Sequence, residues 1–190
     1  MQRKLSIRVM CKIKYRFLLI VFWLLLWPAP GTLLAADNEA GKSGEVLKDG
    51  RGRLPVYLYY ADSRYRFLTG EARRFPPAED AVSHCRLLVE ALVKGPTGDL
   101  IRTVPEDTRV LAIYITRDKT AWIDLSREVA VGPGGIRSEM MTLYAVVNTV
   151  VLNMPEVDQV KFLIEGQEAK TLAGHIDIRF PFKANILLIR

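Results

Sequence analysis

The chain has 190 residues, of which 49% are hydrophobic and 25% are charged, and its formal net charge is +6. The first 16 residues hold six Lys and Arg residues and no acid, so the remainder carries 21 Lys and Arg against 21 Asp and Glu. A nucleic-acid binder needs a surplus of cations to displace counterions from phosphates, so this neutral remainder argues against nucleic-acid binding.

The N-terminal segment has the three-part layout of a secretory signal. A basic stretch precedes an apolar core of 11 residues (17–27), and prolines and the Leu-Ala-Ala of residues 34–36 follow. This layout predicts export to the periplasm or cell envelope, with residues 1–36 as a signal peptide cleaved near Ala36. The alternative is an uncleaved anchor, because residues 17–36 are uncharged over about the length of a membrane-spanning helix. Contact with the membrane is expected only through this segment.

The two cysteines support neither a lipid anchor nor a disulfide. Cys11 precedes the apolar core, whereas the lipid-bearing cysteine of a bacterial lipoprotein follows it. Cys85 is the only cysteine after the signal, so no internal disulfide is expected, and it is predicted to be a small buried hydrophobe. His84 is its neighbour, but adjacent residues on a helix point about 100° apart and do not form a catalytic pair.

The exported part is predicted to be a linker followed by one domain. Residues 37–53 are rich in Gly, Lys, Asp and Glu, so they are predicted to form a flexible linker. Residues 54–190 are long enough for one core and contain no repeat. The domain opens with an aromatic and aliphatic run at 54–60, typical of a strand. Residues 65–68 are a candidate second strand, and 73–77 are predicted to be a loop.

A helix and a hairpin follow. Residues 78–94 are predicted to be helical, because their apolar positions recur at helical spacing: Val82, Cys85, Leu88, Val89 and Leu92. Gly95 and Pro96 are typical of a helix end. Residues 109–116 alternate in the manner of a strand, and 120–125 return as the partner strand.

A second helix is predicted over residues 139–153 on a similar apolar stripe, with Pro155 as its stop: Met140, Leu143, Tyr144, Val147, Val151 and Met154. A strand at 157–165 ends at Gly166, and the tail from 172 onward is expected to add one or two edge strands. The order strand, helix, strand, strand, helix, strand predicts an α+β two-layer sandwich, in which two helices pack on one face of a mixed sheet.

The ends of these elements carry short motifs, which include the following positions: Ala61, Asp62, Leu92, Gly95, Pro96, Pro105, Asp124, Leu125, Ser126, Glu139, Thr149, Gly166, Gly174 and Asp177. In their order and spacing these motifs resemble the GerMN domain of bacterial sporulation and germination proteins. The resemblance covers residues 56–180, and it depends on the order and spacing of the motifs, because each motif alone has a folding role.

Members of this family look like exported or membrane-tethered envelope proteins, some fused to peptidoglycan amidases, and their fold is similar to ring-building modules. The resemblance therefore implies a stand-alone, exported, non-enzymatic module that contacts an envelope protein or peptidoglycan, in sporulation, germination or envelope assembly. One alternative is a peptidoglycan hydrolase or an accessory to an amidase. Another is a module that self-associates into a ring.

The sequence predicts no catalytic residue, metal ligand or cofactor site. His84 and His175 are the only histidines, and they lie on different predicted elements without the spacing of a zinc site. The hydrolase alternative would have to use residues near Asp124 and His175. Aromatic side chains on strands can stack on a sugar or on a partner strand, so the candidate contact residues are Tyr59, Trp122 and His175.

Three of the polar motif positions have predicted structural roles. Asp124 and Ser126 lie at the end of a strand, where their side chains can bond to backbone groups and cap the turn. Glu139 is predicted to lie near the positive end of the second helix, where a carboxylate is favourable by about 0.3–1 kcal/mol.

Overall fold

A computed structural model describes residues 53–132 and 134–190, so the predicted signal peptide and nearly all of the predicted linker lie outside the described residues. The described part holds five strands: β1 (Leu54–Ala61), β2 (Leu68–Phe75), β3 (Val110–Ile115), β4 (Thr120–Leu125) and β5 (Gln159–Ile164). It also holds two α-helices, α1 (Ala81–Val93) and α2 (Ile136–Asn153), and two 3-10 helices, Arg127–Ala130 and Ile186–Leu188. Neither α-helix combines the length and apolarity that crossing a bilayer requires.

The five strands are divided between two sheets. β1 and β2 form an antiparallel hairpin that runs from the pair Leu54 and Phe75 to the pair Ala61 and Leu68. In the second sheet β4 is central, antiparallel to β3 and parallel to β5. The predicted α+β class, with a mixed sheet and two helices, is confirmed. β2 is an additional strand in the predicted order of elements. The β1–β2 hairpin forms a sheet that is separate from the mixed sheet.

β2 lies later in the chain than predicted. Residues 65–67 belong to the turn, where Tyr65 has a φ of 55° and the Asp62 carboxylate accepts the Arg66 N–H at 2.7 Å. Residues 73–75, which were predicted to be a loop, continue β2 and pair with residues 54–56 of β1. That part of the loop prediction is wrong, because pairing with β1 overrides the charged composition of the segment.

α1 begins at Ala81 because Asp80 caps it, with its carboxylate accepting the Ser83 N–H at 2.7 Å. The predicted stripe is buried from Cys85 to Leu92, whereas Val82 is 37% exposed. Helix α2 is buried on more than its predicted stripe, since Met141, Val146 and Val150 are also inside. It touches β1 on one side and β5 on another, which places it at the centre of the core.

The tail after β5 makes isolated bridges in place of the expected edge strands. Phe182 pairs with Val160 on the outer edge of β5, and Ile189 pairs in parallel with Leu68 of β2. Between them, the side chain of Asn148 on α2 bonds both backbone groups of Asn185, at 2.8 and 3.2 Å. The tail therefore runs from one sheet, across α2, to the other.

Candidate functional site

The Glu139 carboxylate accepts three backbone N–H groups of the tail segment and lies beside the His175 ring. Oε1 accepts the N–H groups of Ala173 at 2.9 Å and Ile176 at 3.0 Å. Oε2 accepts the His175 N–H at 2.9 Å and lies 3.0 Å from His175 Nδ1. The carboxylate is in the first turn of α2 and its side chain is only 1% exposed. It binds the tail segment 173–176 to the start of the helix.

The electrostatics of Glu139 favour its ionised form. Burial raises the pKa of this carboxyl, but the N–H groups of Ala173, Ile176 and His175 and the His175 ring outweigh burial and lower the pKa below its ordinary value. Both carboxylate oxygens are already acceptors in these bonds. Glu139 therefore acts as a fixed anionic anchor, and its geometry leaves no free lone pair directed at a substrate.

Two other motif residues shape the same tail segment. Gly174 has a φ of +103°, which residues with a side chain rarely adopt, and its N–H donates to Thr171 Oγ1 at 3.1 Å. Asp177 accepts from Arg179 Nη2 at 2.6 Å. The Arg179 side chain and its backbone N–H lower the pKa of Asp177 to about 2. Asp177 is thus ionised and paired at neutral pH.

Asp124 and Ser126 bond backbone groups of other segments. Asp124 Oδ1 accepts the Gly166 N–H at 2.8 Å, and Gly166 has a φ of +76°. Ser126 is fully buried, and its Oγ accepts the Arg109 N–H at 3.0 Å. Asp124 and His175, which the hydrolase alternative would use together, have different bonding partners. The described bonds do not join them into one site.

The C-terminal end of α1 is held by three side chains that are not among the predicted site residues. Tyr60 donates from its hydroxyl to the Gly95 carbonyl at 3.0 Å, and Arg73 Nη2 donates to the same oxygen at 2.9 Å. Arg102 donates to the carbonyls of Val93 at 2.8 Å and Lys94 at 3.1 Å. Cationic side chains at the C-terminal end of a helix also interact favourably with the helix dipole. The Gly-Pro motif thus lies inside a structural cluster.

The outer edge of β1 is closed by α2 side chains. Asn153 Oδ1 accepts the Tyr57 N–H at 2.9 Å, and its Nδ2 donates to the Tyr57 carbonyl at 2.8 Å. Thr149 Oγ1 accepts the Tyr59 N–H at 3.1 Å. Ala61, the next residue that faces this edge, exchanges both backbone bonds with Ile101, at 3.0 and 2.8 Å. Helix α2 therefore substitutes for a neighbouring strand.

The Thr149 bond can be tested with two small substitutions. Thr149→Val keeps the shape but removes the acceptor, leaving the Tyr59 N–H without a partner, and should cost about 1–3 kcal/mol in the free energy of unfolding. Thr149→Ser keeps the hydroxyl and should cost less. Urea denaturation measures both. A larger loss for Thr149→Ser than for Thr149→Val would show that the methyl group, and not the bond, is what matters at this position.

Lys161 is a buried cation on β5, only 2% exposed. Its Nζ donates to the carbonyls of Ile178 at 3.3 Å and Arg179 at 2.6 Å. It also lies 3.7 Å from a Glu168 carboxylate oxygen and 5.8 Å from the centre of the Trp122 ring. The ammonium group is thus surrounded by acceptors, and it attaches the tail to β5.

The candidate contact residues lie on different parts of the surface. Trp122 is half-buried and pairs across the strands with Tyr114, which is 60% exposed, so the two side chains lie on one face. Tyr59 is half-buried on the other sheet and packs against the core. His175 is 44% exposed beside Glu139. The structure therefore brings no two of these three together in one site.

Cys85 and His84 do not form a nucleophile and base. Cys85 is fully buried, and burial raises the pKa of its thiol to about 12, so it stays protonated at neutral pH. Burial lowers the pKa of His84, with the nearby Glu156 acting in the opposite direction. Among the described residues, no group of three or more His, Cys, Asp or Glu side chains is arranged to hold a metal ion.

A small cleft lies beside Glu139, at the start of α2. Its volume is about 70 Å³, and its lining includes Gly132, Gly134, Gly135, Ser138 and Thr142. Small-molecule sites typically enclose roughly 300–1,000 Å³. This cleft has room for a few waters but not for a sugar ring or a peptide.

The fold and these contacts define an α+β domain whose polar motif residues hold turns, a helix end and a strand edge. The chain belongs to the Germane family, described as sporulation and spore germination, whose model matches residues 57–170. No curated protein matches it significantly.

Three of the solved structures that are similar to this chain have the following relation to it. One, from Clostridium perfringens and named as a lipoprotein, is 26% identical over 73% of this chain and 92% of its own, with a TM-score of 0.50. The first GerMN domain of the Bacillus subtilis sporulation protein GerM is 27% identical over 62% of this chain and 86% of its own, with a TM-score of 0.52. The tandem GerMN domains of that protein give 25% identity, 67% and 46% coverage, and a TM-score of 0.55. The GerMN-type assignment is confirmed.

Proposed function

We propose that this chain is an exported, non-enzymatic module of the cell envelope that acts by contacting another envelope protein. The observation that carries the proposal is that side chains capable of chemistry are already bonded within the fold. Glu139 accepts three backbone N–H groups, and the Lys161 ammonium is surrounded by acceptors. General acid–base catalysis needs a group within hydrogen-bond reach of a substrate proton, and these side chains are turned inward.

Export is supported by the sequence and by one relative. The basic stretch and apolar core of residues 1–36 are typical of a secretory signal. The similar Clostridium perfringens structure is named as a lipoprotein, and lipoproteins are envelope proteins. A role in sporulation, germination or envelope assembly is consistent with the family. The direct check is fractionation of the cells in which the chain is made, and finding it in the cytoplasm would contradict the proposal.

The surface offers large apolar side chains for a partner. Tyr114, Val131, Ile136, Phe180 and Leu187 are each at least 60% exposed, and residues of this kind are enriched at protein contacts when they cluster. Crosslinking of the full chain in intact cells should yield adducts with other exported proteins. A strictly monomeric protein without adducts would count against the proposal. Adducts only between copies of this chain would favour the ring-forming alternative.

The hydrolase alternative has a direct test. Purified protein mixed with sacculi should leave their turbidity unchanged, because Asp124 and His175 are bonded to separate backbone segments. Release of soluble fragments that His175→Ala abolishes would show that the chain is an enzyme.

A second candidate function is contact with peptidoglycan, which the paired Tyr114 and Trp122 favour because an exposed aromatic face can stack on a sugar. If the chain binds in this way, Tyr114→Ala should weaken its co-sedimentation with sacculi by about two- to tenfold, the loss of ~0.5–1.5 kcal/mol. Tyr57→Ala is the matched control, since Tyr57 is 52% exposed on the other sheet. Equal effects of both variants, or no binding by the wild type, would eliminate this candidate.

A further inference from the structure

We propose that the outer edge of β2 is a docking site for an extended, acidic segment of a partner protein, which adds to the hairpin as a third strand. This proposal depends on the proposed function, because it names the kind of partner that the module contacts. It assigns the contact to backbone groups of Gly70 and Ala72 and to the arginines around them. Strand addition of this kind obtains affinity from main-chain hydrogen bonds and specificity from alternate side chains.

The two outer edges of the hairpin differ in how many of their backbone groups are hydrogen-bonded. Residues of β1 that face away from β2 are bonded to α2 and to Ile101, as described above. Ala61 is one of them, so its partner Leu68 must also point its backbone groups away from the hairpin. Alternation along the strand then directs the backbone groups of Gly70 and Ala72 to the same outer edge.

The first position of this outer edge is already filled by the tail. Leu68 accepts the Arg190 N–H at 2.9 Å, and Leu68 and Ile189 form a parallel bridge. The tail thus starts a third strand beside β2. At the next outward positions, Gly70 and Ala72, no described residue bonds to the backbone N–H or carbonyl groups. Within the described part of the chain, a row of open donors and acceptors therefore continues directly from an existing strand contact.

The side chains at this edge leave room for another strand. Gly70 has no side chain, and the rings of Tyr57 and Tyr59 come within 3.4 Å of the place that its Cβ would occupy. Ala72 is small and exposed. Natural edges are usually protected by proline, by inward-pointing charges or by a bulge, and these two positions have none of these features. An incoming strand would place alternate side chains beside the two tyrosine rings.

The charged side chains around the outer edge of β2 indicate which kind of segment would bind there. Arg66 and Arg190 lie over the Phe67 ring, with guanidinium carbons 6.0 and 5.5 Å from its centre. Of the acids nearby, Glu71 forms an ion pair with Arg73 at 2.6 Å, and Asp62 accepts the Arg66 N–H at 2.7 Å. A second copy of the chain would bring the same arginines and would be repelled. An acidic segment complements them.

The test uses a phage-displayed library of random eight-residue peptides, selected on the purified exported protein. Enriched peptides should be acidic and alternate β-branched or aromatic residues with polar ones. They should bind Ala72→Val as well as they bind wild type. They should bind Ala72→Pro about tenfold or more weakly, because proline removes the outward N–H while the inward pairing with β1 needs no donor from this residue. Bound peptide should slow amide exchange at Gly70 and Ala72.

A second variant keeps the proposal testable if Ala72→Pro fails to fold. Arg66→Glu retains the backbone and reverses the charge, and it should weaken binding of the acidic peptides about tenfold. An absence of enriched peptides, a consensus without acids, or peptides that bind Ala72→Pro and Arg66→Glu as they bind wild type would overturn the proposal. So would a wild-type dimer that Ala72→Pro dissociates, since the occupant would then be a second copy.

The two proposals fail in different ways. If crosslinked adducts in cells persist unchanged in Ala72→Pro and Arg66→Glu, the module contacts its partner elsewhere, and only the β2 proposal is lost. If neither wild type nor variants give adducts with other exported proteins, the proposed function itself is lost. Adducts that disappear in the two variants and persist in Ala72→Val would support both.

Discussion

Replacing Glu139 with alanine is expected to lower the free energy of unfolding by about 2–4 kcal/mol. The substitution removes the acceptor for the N–H groups of Ala173, His175 and Ile176, and each unpaired donor that water cannot fully reach costs about 1–3 kcal/mol. Urea denaturation at pH 7 measures the loss. Amide exchange of residues 173–176 should accelerate at the same time, because the tail segment loses its attachment to α2.

His175→Ala is the matched control for this prediction. It removes the ring that faces Glu139 but leaves all three backbone donors and the carboxylate in place. Because the ring is 44% exposed, the expected loss is at most about 1 kcal/mol. If His175→Ala costs as much as Glu139→Ala, the contact of the His175 ring with the carboxylate, and not the backbone contacts, attaches the tail.

The pH dependence of the Glu139 contribution has a definite sign. The folded-state pKa of Glu139 is lowered, so its stabilisation is fully present above the unfolded pKa of about 4.3 and is lost as pH falls through the lower folded pKa. The stability difference between wild type and Glu139→Ala should therefore be constant near neutral pH and narrow below about pH 4. A difference that is below 1 kcal/mol at pH 7, or one that grows in acid, would contradict the assigned role.

Local patterns predicted most of the fold, because the signals that set element ends lie within a few residues. Gly95 and Pro96 predicted the end of α1, which ends at Val93. The predicted strand at 120–125 coincides with β4, and the Pro155 stop lies two residues beyond the end of α2. Capping and turn residues act on their own segment, so a single sequence contains the relevant information.

Contacts between distant segments could not be derived in this way. Glu139 and His175 are 36 residues apart, and no periodicity joins them, yet the structure places them 3.0 Å apart. Lys161 would be read from composition as an exposed strand residue, but it is buried because the carbonyls of Ile178 and Arg179 cover it. The sequence therefore indicated the helix and strand ends at which several motif residues lie, but Gly174 and Asp177 lie in a tail that forms isolated bridges in place of the expected edge strands. It also did not show which segments the motif residues hold together.

The same limit applies to the edge of β2. The charged run Glu71 to Arg74 is typical of a loop, and only pairing with β1 makes it a strand. One signal was available, since Gly70 lies two residues after the apolar pair Phe67 and Leu68, and glycine in a strand often marks a close approach of another chain. Gly70 was therefore visible in the sequence as a signal. The open edge itself could not be predicted, because it exists only when β2 pairs with β1.

Replacing Gly95 with alanine is expected to destabilise the fold by about 2–4 kcal/mol. Gly95 has a φ of +89°, where a side chain costs about 1–2 kcal/mol. The new Cβ would also lie 2.9 Å from Arg102 Nη2 and 3.0 Å from its Cζ, so Arg102 must move away from the carbonyls of Val93 and Lys94. The end of α1 would then lose a charged donor, which adds about 1–2 kcal/mol.

Gly98→Ala is the matched control, because an added Cβ at Gly98 meets no heavy atom within 4 Å. It should change the free energy of unfolding by less than about 1 kcal/mol. A second variant, Arg102→Ala, separates the backbone strain at Gly95 from the loss of the Arg102 bonds. If the alanine displaces Arg102, Gly95→Ala made in the Arg102→Ala background should lower the free energy of unfolding only by the backbone strain of about 1–2 kcal/mol. Full additivity of the two losses would instead show that the alanine is accommodated without displacing Arg102.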